Sequence, residues 1–407
     1  LMPLGDVHGK HVVTIEGLNS DELSPIQSAF VDEGGTQCGF CTPGFIVSLT
    51  GYFLINQNYN ALDAIDSMNG NICRCTGYSG IKRAAERAAA SFDSIQNGDY
   101  KFDNLITAQI IPNYFSGIKK RLIDLNKKLR SEIVGKSNDQ FEFLISGGTD
   151  LYVQKWESLI NSQVNLISSY KKLSFVEEVN GEIHIGSTTT IAELEQSQLM
   201  KKYFPEFPNY LILFGSIPIR NRATVGGNIV NASPIGDMTN ILLALDSNVH
   251  ITNGKSERQV PLKNFFKGYK TLDLDKNELV EYFSFQIPEK NSRFNFEKVS
   301  KRTYLDIASV NSSMYIEVNG EQITEIHLSA GGVAPIPMYL AKTRNYLLGK
   351  SISENVVAEA GEIAVSEISP ISDARGSAEY KSLLLRQLIF AHFFKLFPEN
   401  KIFEISY

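Results

Sequence analysis

The chain has 407 residues, 43% apolar and 21% charged, with a formal net charge of −6. That composition is ordinary for a globular protein of roughly two to four domains, and the absence of a basic stripe argues against a nucleic-acid partner. No apolar run approaches the roughly 20 residues that span a bilayer, and the opening LMPLGDVHGKHVV lacks the apolar core of a signal peptide, so a cytoplasmic, reducing compartment and no membrane partner are expected. The chain opens on Leu1 as if in mid-domain, which implies that the natural N-terminus lies upstream or on another chain.

Residues 24–33, SPIQSAFVDE, carry helix-start signals: Ser24 can cap, Pro25 suits the first turn, and Gly34 and Gly35 stop the helix. After CGFCTPG, Thr42-Pro43 repeats the signal, and Phe45, Ile46, Leu49, Tyr52 and Phe53 follow at helical spacing. A third helix is expected between Asn60 and Gly70. After CRCTGY, a fourth is opened by Thr76-Gly77 and runs through IKRAAERAAASF. Residues 1–92 thus read as four short helices in two similar halves, each with a cysteine pair just ahead of a helix.

Those pairs, Cys38 with Cys41 and Cys73 with Cys75, are all the cysteines in the chain. In a reducing compartment, clustered cysteines bind metal more readily than they form disulfides. The ligand must be a thiolate, and unpaired N–H groups at a helix start stabilise one. Arg74 adds a cation, and Gly39, Gly44 and Gly77 let the backbone approach a bulky inorganic core. Four cysteines suit a closed zinc site or a [2Fe-2S] cluster. Spacing alone favours iron–sulfur modestly over zinc, with a disulfide-linked pair of loops third. The histidines, His8, His11, His184, His250, His327 and His392, form no metal box and read as ordinary surface or core residues.

The run QCGFCTPG…NICRCTGY, Gln37 to Tyr78, resembles the helical [2Fe-2S] domain of the xanthine dehydrogenase and aldehyde oxidase family of molybdenum hydroxylases. The resemblance implies that Cys38, Cys41, Cys73 and Cys75 hold a [2Fe-2S] cluster close to the molybdenum cofactor. It also implies that Gln37 approaches the pterin. Gly9 to Leu18 resembles the segment that joins this domain to a plant-type ferredoxin domain upstream, so that second cluster domain is expected to be missing from this polypeptide.

Residues 93–111 are polar and turn-rich and read as a linker. Phe141, Phe143 and Ile145 alternate as a half-buried strand would, running into Gly147-Gly148. A second glycine pair stands in RATVGGNIVNASPIGD, Arg222 to Asp237. Two such loops could each form an anion-binding nest of backbone N–H groups and clasp a diphosphate between them; singly, each is better read as a plain turn. The fingerprint G-x-G-x-x-G is absent. LLGKS, Leu347 to Ser351, resembles the end of a Walker A loop but has Arg344 where the first glycine should stand, and reads as a helix end.

Together the loops resemble the FAD-binding domain of the same family, a fold shared with vanillyl-alcohol-oxidase (PCMH-type) flavoproteins. That resemblance implies FAD contacts from Leu144, Ile145, Ser146, Gly147, Gly148, Thr149, Asp150 and Leu151 in the first loop. It implies others from Thr224, Val225, Gly226, Gly227 and Asn228 in the second, and from Phe214, Asp237, Val280 and Lys298.

Beyond residue 290, KVSKRTYLDIASV, MYIEV and EIHLSAGGVAPIPMYL read as strands and AEYKSLLLRQLIFAHFFKLF as a long helix. Gly331-Gly332 is expected to be a turn facing the flavin domain, and Asp373 and Arg375 a local ion pair or helix cap. This part resembles the C-terminal domain of CO-dehydrogenase-type flavoproteins. The expected architecture is a multidomain α + α/β protein: a helical [2Fe-2S] domain at 1–92, a linker at 93–111, an α+β FAD domain at 112–290 and an α+β C-terminal domain at 291–407.

No nucleophile motif appears. An iron–sulfur cluster passes single electrons whereas a flavin takes two and can release them as a hydride, so the pair makes a one-electron to two-electron converter. The resemblance implies the remainder: a molybdenum-cofactor large subunit that hydroxylates substrate, electrons leaving through the cluster and FAD to NAD+, and a hetero-oligomer with two copies of each subunit. Xanthine is the expected substrate; an aldehyde or N-heterocycle hydroxylase, or a zinc-stabilised module on a stand-alone flavin reductase, are the alternatives.

Overall fold

The computed structural model describes residues 2–7, 9–56, 58–92, 101–133 and 142–400. His8, Phe141 and the first part of the expected linker, 93–100, lie outside them. Two compact units divide the chain, Leu1–Asp139 and Gln140–Tyr407.

The first unit is helical. Helix α1, Pro25–Asp32, starts at a reciprocal cap: Gln27 N–H donates to Ser24 Oγ (3.2 Å) and Ser24 N–H to Gln27 Oε1 (2.7 Å). Helix α2, Thr42–Ile55, takes Cys41 rather than Thr42 as its cap position. Asn60 caps α3, Ala61–Asp66, and α4 spans Ser79–Phe92. Their apolar faces bury Phe30, Phe45, Leu49, Phe53, Ile81 and the alanines of α4, each large side chain contributing roughly 1.5–3 kcal/mol. Helices α1 and α4 meet so closely that a Cβ on Gly80 would stand 2.6 Å from the Gly34 carbonyl.

The expected linker is corrected over its described part. Residues Lys101–Thr107 form helix α5, and Leu105, Ile110, Ile111, Phe115 and Ile118 are buried with the four helices. The polar run that suggested a linker continues to Asn104, but the apolar residues after it, from Leu105 on, need a core to join. The first unit therefore reaches Asp139, and the flavin domain starts later than 112.

In the second unit, β1 (Phe143–Ile145) pairs parallel with β2 (Val164–Leu166). Strands β3 (Val176–Val179), β4 (Glu182–Gly186), β5 (Asn248–Thr252) and β6 (Glu257–Pro261) precede a small hairpin, β7 (Phe266–Gly268) with β8 (Thr271–Leu272). With β9 (Leu279–Gln286) they form an antiparallel sheet in the order β3-β4-β9-β5-β6. Its register puts Ile183 opposite Phe285 and both Ile185 and Val249 opposite Phe283. These residues share one face and bury it against Met238, Ile241 and Leu242. On the other face His184, Tyr282 and His250 stack, the last two with centroids 4.0 Å apart.

The chain closes with an antiparallel meander: β10 (Ser292–Val299), β11 (Val310–Asn319), β12 (Gln322–Gly331) and β13 (Met338–Tyr339). Helices Glu354–Ser366 and Ala378–Leu396 complete its core. Fully buried His392 joins the last helix to the sheet through Asn295 Nδ2 (2.9 Å) and Ser312 Oγ (3.0 Å), and burial pushes its pKa down to about 3.

Two expectations change here and a third holds. KVSKRTYLDIASV is not one strand: β10 ends at Val299, and the Asp306 carboxylate accepts the N–H groups of Arg302 and Ile307 (3.0 Å each), folding the run into a loop. Asp373 pairs with Lys381 (2.8 Å) rather than with the Arg375 side chain, because Lys381 is buried and needs a counter-ion; Ser377 caps the helix. The Leu347–Ser351 run is a helix end, as expected, with Leu347 the last helical residue and Gly349 at φ +77°.

Candidate functional site: a thiol quartet and a glycine-lined cleft

Cys38 and Cys41 stand at the start of α2, and Cys73 and Cys75 in the loop ahead of α4. Gly39 (φ +81°) and Gly77 (φ +63°) turn the two loops toward each other. The thiols associate across the loops rather than within them. Cys75 Sγ lies 3.5 Å from Cys38 Sγ, and Cys41 and Cys73 stand near enough to shift each other's titration. The buried Cys73 sulfur receives the Thr76 hydroxyl at 3.2 Å and the N–H groups of Cys75 (3.4 Å) and Thr76 (3.5 Å); these hold its pKa down at about 7. The Phe40 N–H lowers Cys38, whereas burial pushes Cys41 up. Two cross-loop pairs with N–H groups aimed at sulfur fit an anionic cluster that takes two thiolates at each of two irons.

The second unit holds a cleft of about 1510 Å³, larger than the roughly 300–1,000 Å³ of common ligand pockets. The first glycine loop, after β1, lines it. Gly147 has to be glycine because a Cβ would collide with the Arg222 carbonyl, and Gly148 sits at φ +70° against the Tyr152 ring. The Arg222 guanidinium donates to Gly147 O (3.1 Å), tying this loop to the segment just ahead of the second. Among the described residues, no acceptor meets the N–H groups of Gly147, Gly148, Thr149 or Asp150. Such an open row of N–H groups could receive an anion.

The second loop is not a nest, contrary to expectation. The N–H groups of Val225 and Gly226 donate to Thr189 O (3.0 Å) and Ser187 O (2.9 Å). Those of Gly227 and Asn228 donate to Thr224 Oγ1 (3.1 Å) and Thr224 O (3.0 Å). Thr224 is the cap of the helix Val225–Val230. Its glycines permit packing instead: a Cβ on Gly226 would come within 2.7 Å of Ser187 O.

Of the residues expected at a flavin site, Leu144, Ser146, Thr149, Asp150, Leu151, Phe214, Thr224, Gly226, Gly227, Asn228, Asp237, Val280 and Lys298 line the cleft with the first loop's glycines. Ile145 and Val225 do not; their side chains are buried in the core, and only their neighbours reach the cavity. Asp237 and Lys298 meet as an ion pair (2.6 Å), and burial pushes the Asp237 carboxyl up against the pull of that cation. Lys298 also donates to Leu213 O (2.8 Å), beside Phe214.

Sequence reasoning missed Ser187, the loop Arg302–Ala308 and the run 369–381, all of which contribute to the lining. Ser187 follows β4 in a serine–threonine run, a pattern that could have marked a polar strand end; the loop carries no such signal. Gly332 lines the cleft as the expected facing turn, its N–H bonded to Pro234 O (2.9 Å). Among the described residues, three buried polar atoms of the lining, Ser146 Oγ, Ser187 Oγ and Asn228 Oδ1, have no hydrogen-bond partner. Beside an open nest, they fit a long polar ligand that carries phosphate.

Three family models match successive parts of the chain: a [2Fe-2S] binding domain over residues 14–86, an FAD binding domain in molybdopterin dehydrogenase over 131–290, and a CO dehydrogenase flavoprotein C-terminal domain over 296–396. Xanthine dehydrogenase 1 of Arabidopsis thaliana is 27% identical, covering 98% of this chain and 34% of its own length. Aldehyde oxidase 1 of Macaca fascicularis is 25% identical over the same shares. The chain thus spans about a third of the length of the curated relatives it matches. A carbon monoxide dehydrogenase structure from Hydrogenophaga pseudoflava superposes with TM-score 0.58 at 23% identity, covering 60% of this chain and 86% of that one, and shares the fold.

Fold and domains define an iron–sulfur flavoprotein, with a [2Fe-2S] domain and an FAD domain in one polypeptide. The zinc reading is set aside by the first of these. The chain belongs to the molybdenum hydroxylases, an oxidoreductase family, as their FAD/[2Fe-2S] portion.

Proposed function

We propose that this chain is the electron-transfer part of a xanthine dehydrogenase of purine catabolism. The molybdenum cofactor sits on a partner large subunit, NAD+ is the final acceptor, the assembly has two copies of each subunit, and its compartment is the cytoplasm. The observation that carries the reading is the presence of cross-loop thiol pairs and an open N–H nest in one chain whose xanthine dehydrogenase relatives align over nearly all of it. When bound, the cluster exchanges single electrons and the flavin collects two.

The residues divide the work. Cys38, Cys41, Cys73 and Cys75 would hold the cluster as thiolates. Gly147, Gly148, Thr149 and Asp150 would offer N–H groups to the FAD diphosphate, Ser146, Ser187 and Asn228 would supply polar partners, and Phe214 and Val280 would present apolar surface. Leu144, Leu151, Thr224, Gly226 and Gly227 complete the wall beside them, with Asp237 and Lys298 as a neutral pair.

Metal, labile-sulfide and flavin analysis of the purified complex tests this reading. Two irons, two sulfides and one FAD per chain are expected, with a brown absorbance that bleaches partly with dithionite. NADH-to-dye activity should survive in the chain alone, and xanthine turnover should require the partner. Stoichiometric zinc without iron or sulfide would sink it. Hydroxylation of an aldehyde or N-heterocycle is the second reading, supported by the aldehyde oxidase similarity; a substrate panel on the complex separates the two.

A further inference from the structure

We propose that Asn311 is a positioning residue of the flavin cleft, acting through Asp237; this rests on the FAD reading above. Asn311 lies on β11, is fully buried and does not line the cavity. Its Nδ2 donates to Asp237 Oδ1 at 2.6 Å and faces Ile235 O at 3.3 Å, while its Oδ1 accepts from Asn240 Nδ2 at 3.0 Å. Acceptors lie on one side of the amide and a donor on the other, so only one orientation satisfies it. Gly331 on the adjacent strand leaves the space this amide fills, since a Cβ there would collide with Asn311 Oδ1.

Asp237 opens the helix Asp237–Ala244 at the cleft wall. Its second oxygen is held by Lys298 of β10 at 2.6 Å. Two neighbouring strands of the C-terminal sheet therefore grip one carboxylate by both oxygens. With both held, the carboxylate has one orientation before any ligand arrives, and binding pays no cost for ordering it. Without Asn311, Asp237 Oδ1 and Asn240 Nδ2 would be buried without partners, and the carboxylate would be free to swing toward Lys298 or into the cleft.

The test measures FAD affinity by flavin fluorescence on the 407-residue chain, with thermal midpoint and circular dichroism recorded for each variant. Asn311→Leu should weaken FAD about tenfold or more. If it acts through Asp237, Asn311→Leu in an Asp237→Asn background should add less than about threefold. Asn311→Asp keeps the shape and serves as the second variant should the leucine chain not fold. The charged groups facing position 311 are Asp237 and Lys298; Asn240, Ile235 and Gly331 do not titrate. A carboxyl there replaces the Nδ2 donor only while protonated, so FAD affinity of Asn311→Asp should fall as pH rises from about 5 to about 9. Wild-type affinity for Asn311→Leu, multiplicative losses in the double variant, or an Asn311→Asp profile that tracks wild type would each overturn the inference. A wild-type chain that takes up no FAD would sink the flavin reading instead.

Discussion

The thiol quartet and the cleft are built by opposite means. The four cysteines fall between Cys38 and Cys75, on two loops that each lead into a helix. The cleft draws on residues from Leu144 to Lys381, across two sheets and the loops between them. A local site depends on a few ligands that nothing else can replace. A dispersed one depends on backbone contacts that hold distant segments in register. Substitutions should therefore fail differently in the two places.

The largest effect is expected at the local site. Cys73→Ser should abolish iron binding, since it removes the most shielded of four ligands, and leave FAD content unchanged, because the cleft belongs to the other compact unit. Iron and flavin assays on the same preparation decide it; loss of both together would break the contrast. Next comes Gly147→Ala in the cleft. The added methyl meets the Arg222 backbone, which cannot move aside. The cost should reach about 3 kcal/mol or more, read as a lowered thermal midpoint together with lost FAD. Flavin retained at full occupancy would show that the first loop is not the diphosphate site.

The second glycine pair sharpens the contrast. Gly226→Ala presses on Ser187 backbone, whereas a methyl on Gly227 meets only the Thr224 hydroxyl at 2.8 Å. Gly226→Ala should cost about 1–3 kcal/mol of stability, and Gly227→Ala should change FAD affinity by no more than a few-fold. Equal, severe loss of FAD in both would restore the two-nest picture. Thermal melts and flavin titrations on the pair distinguish the outcomes.

The same contrast explains what the sequence shows and what it hides. The four helices, their caps and the cysteine loops were legible because each signal lies within a few residues of what it controls. Ser24 caps the next turn, and Gly34 ends the helix that follows. The glycine pairs were legible as turns, but the purpose of the second was not. Whether Gly226 offers its N–H to a ligand or to Ser187 O depends on a strand some forty residues away. Ser187 and the Arg302–Ala308 loop escaped notice for that reason: a serine after a strand, or a bend between strands, becomes part of a wall only once distant chain packs opposite. The linker was misjudged because composition reports polarity, while Leu105 and Ile110 answer to a core that composition cannot see.

Each unit is also closed by arginine–carboxylate pairs, and these yield the smallest effect. Glu33 on the helical unit bonds Arg83 and Arg87, which lower its pKa, but the pairs are largely solvent-exposed. Glu278, on the cleft rim, bonds Arg258 Nε at 2.7 Å with only 10% of its side chain exposed. Those hydrogen bonds hold its pKa down at about 2, against an ordinary 4.5. A depressed carboxylate contributes its stability above the ordinary value and loses it as pH falls through the lowered one. Glu278→Gln should therefore cost about 1 kcal/mol near neutrality, after allowance for the partly exposed arginine. It should also flatten the stability curve between pH 4.5 and about 2. Glu33→Gln should leave that acid limb nearly unchanged. Urea melts across the pH series test the pair, and an acid limb that responds equally to both substitutions would remove the distinction between an exposed clasp and a shielded one.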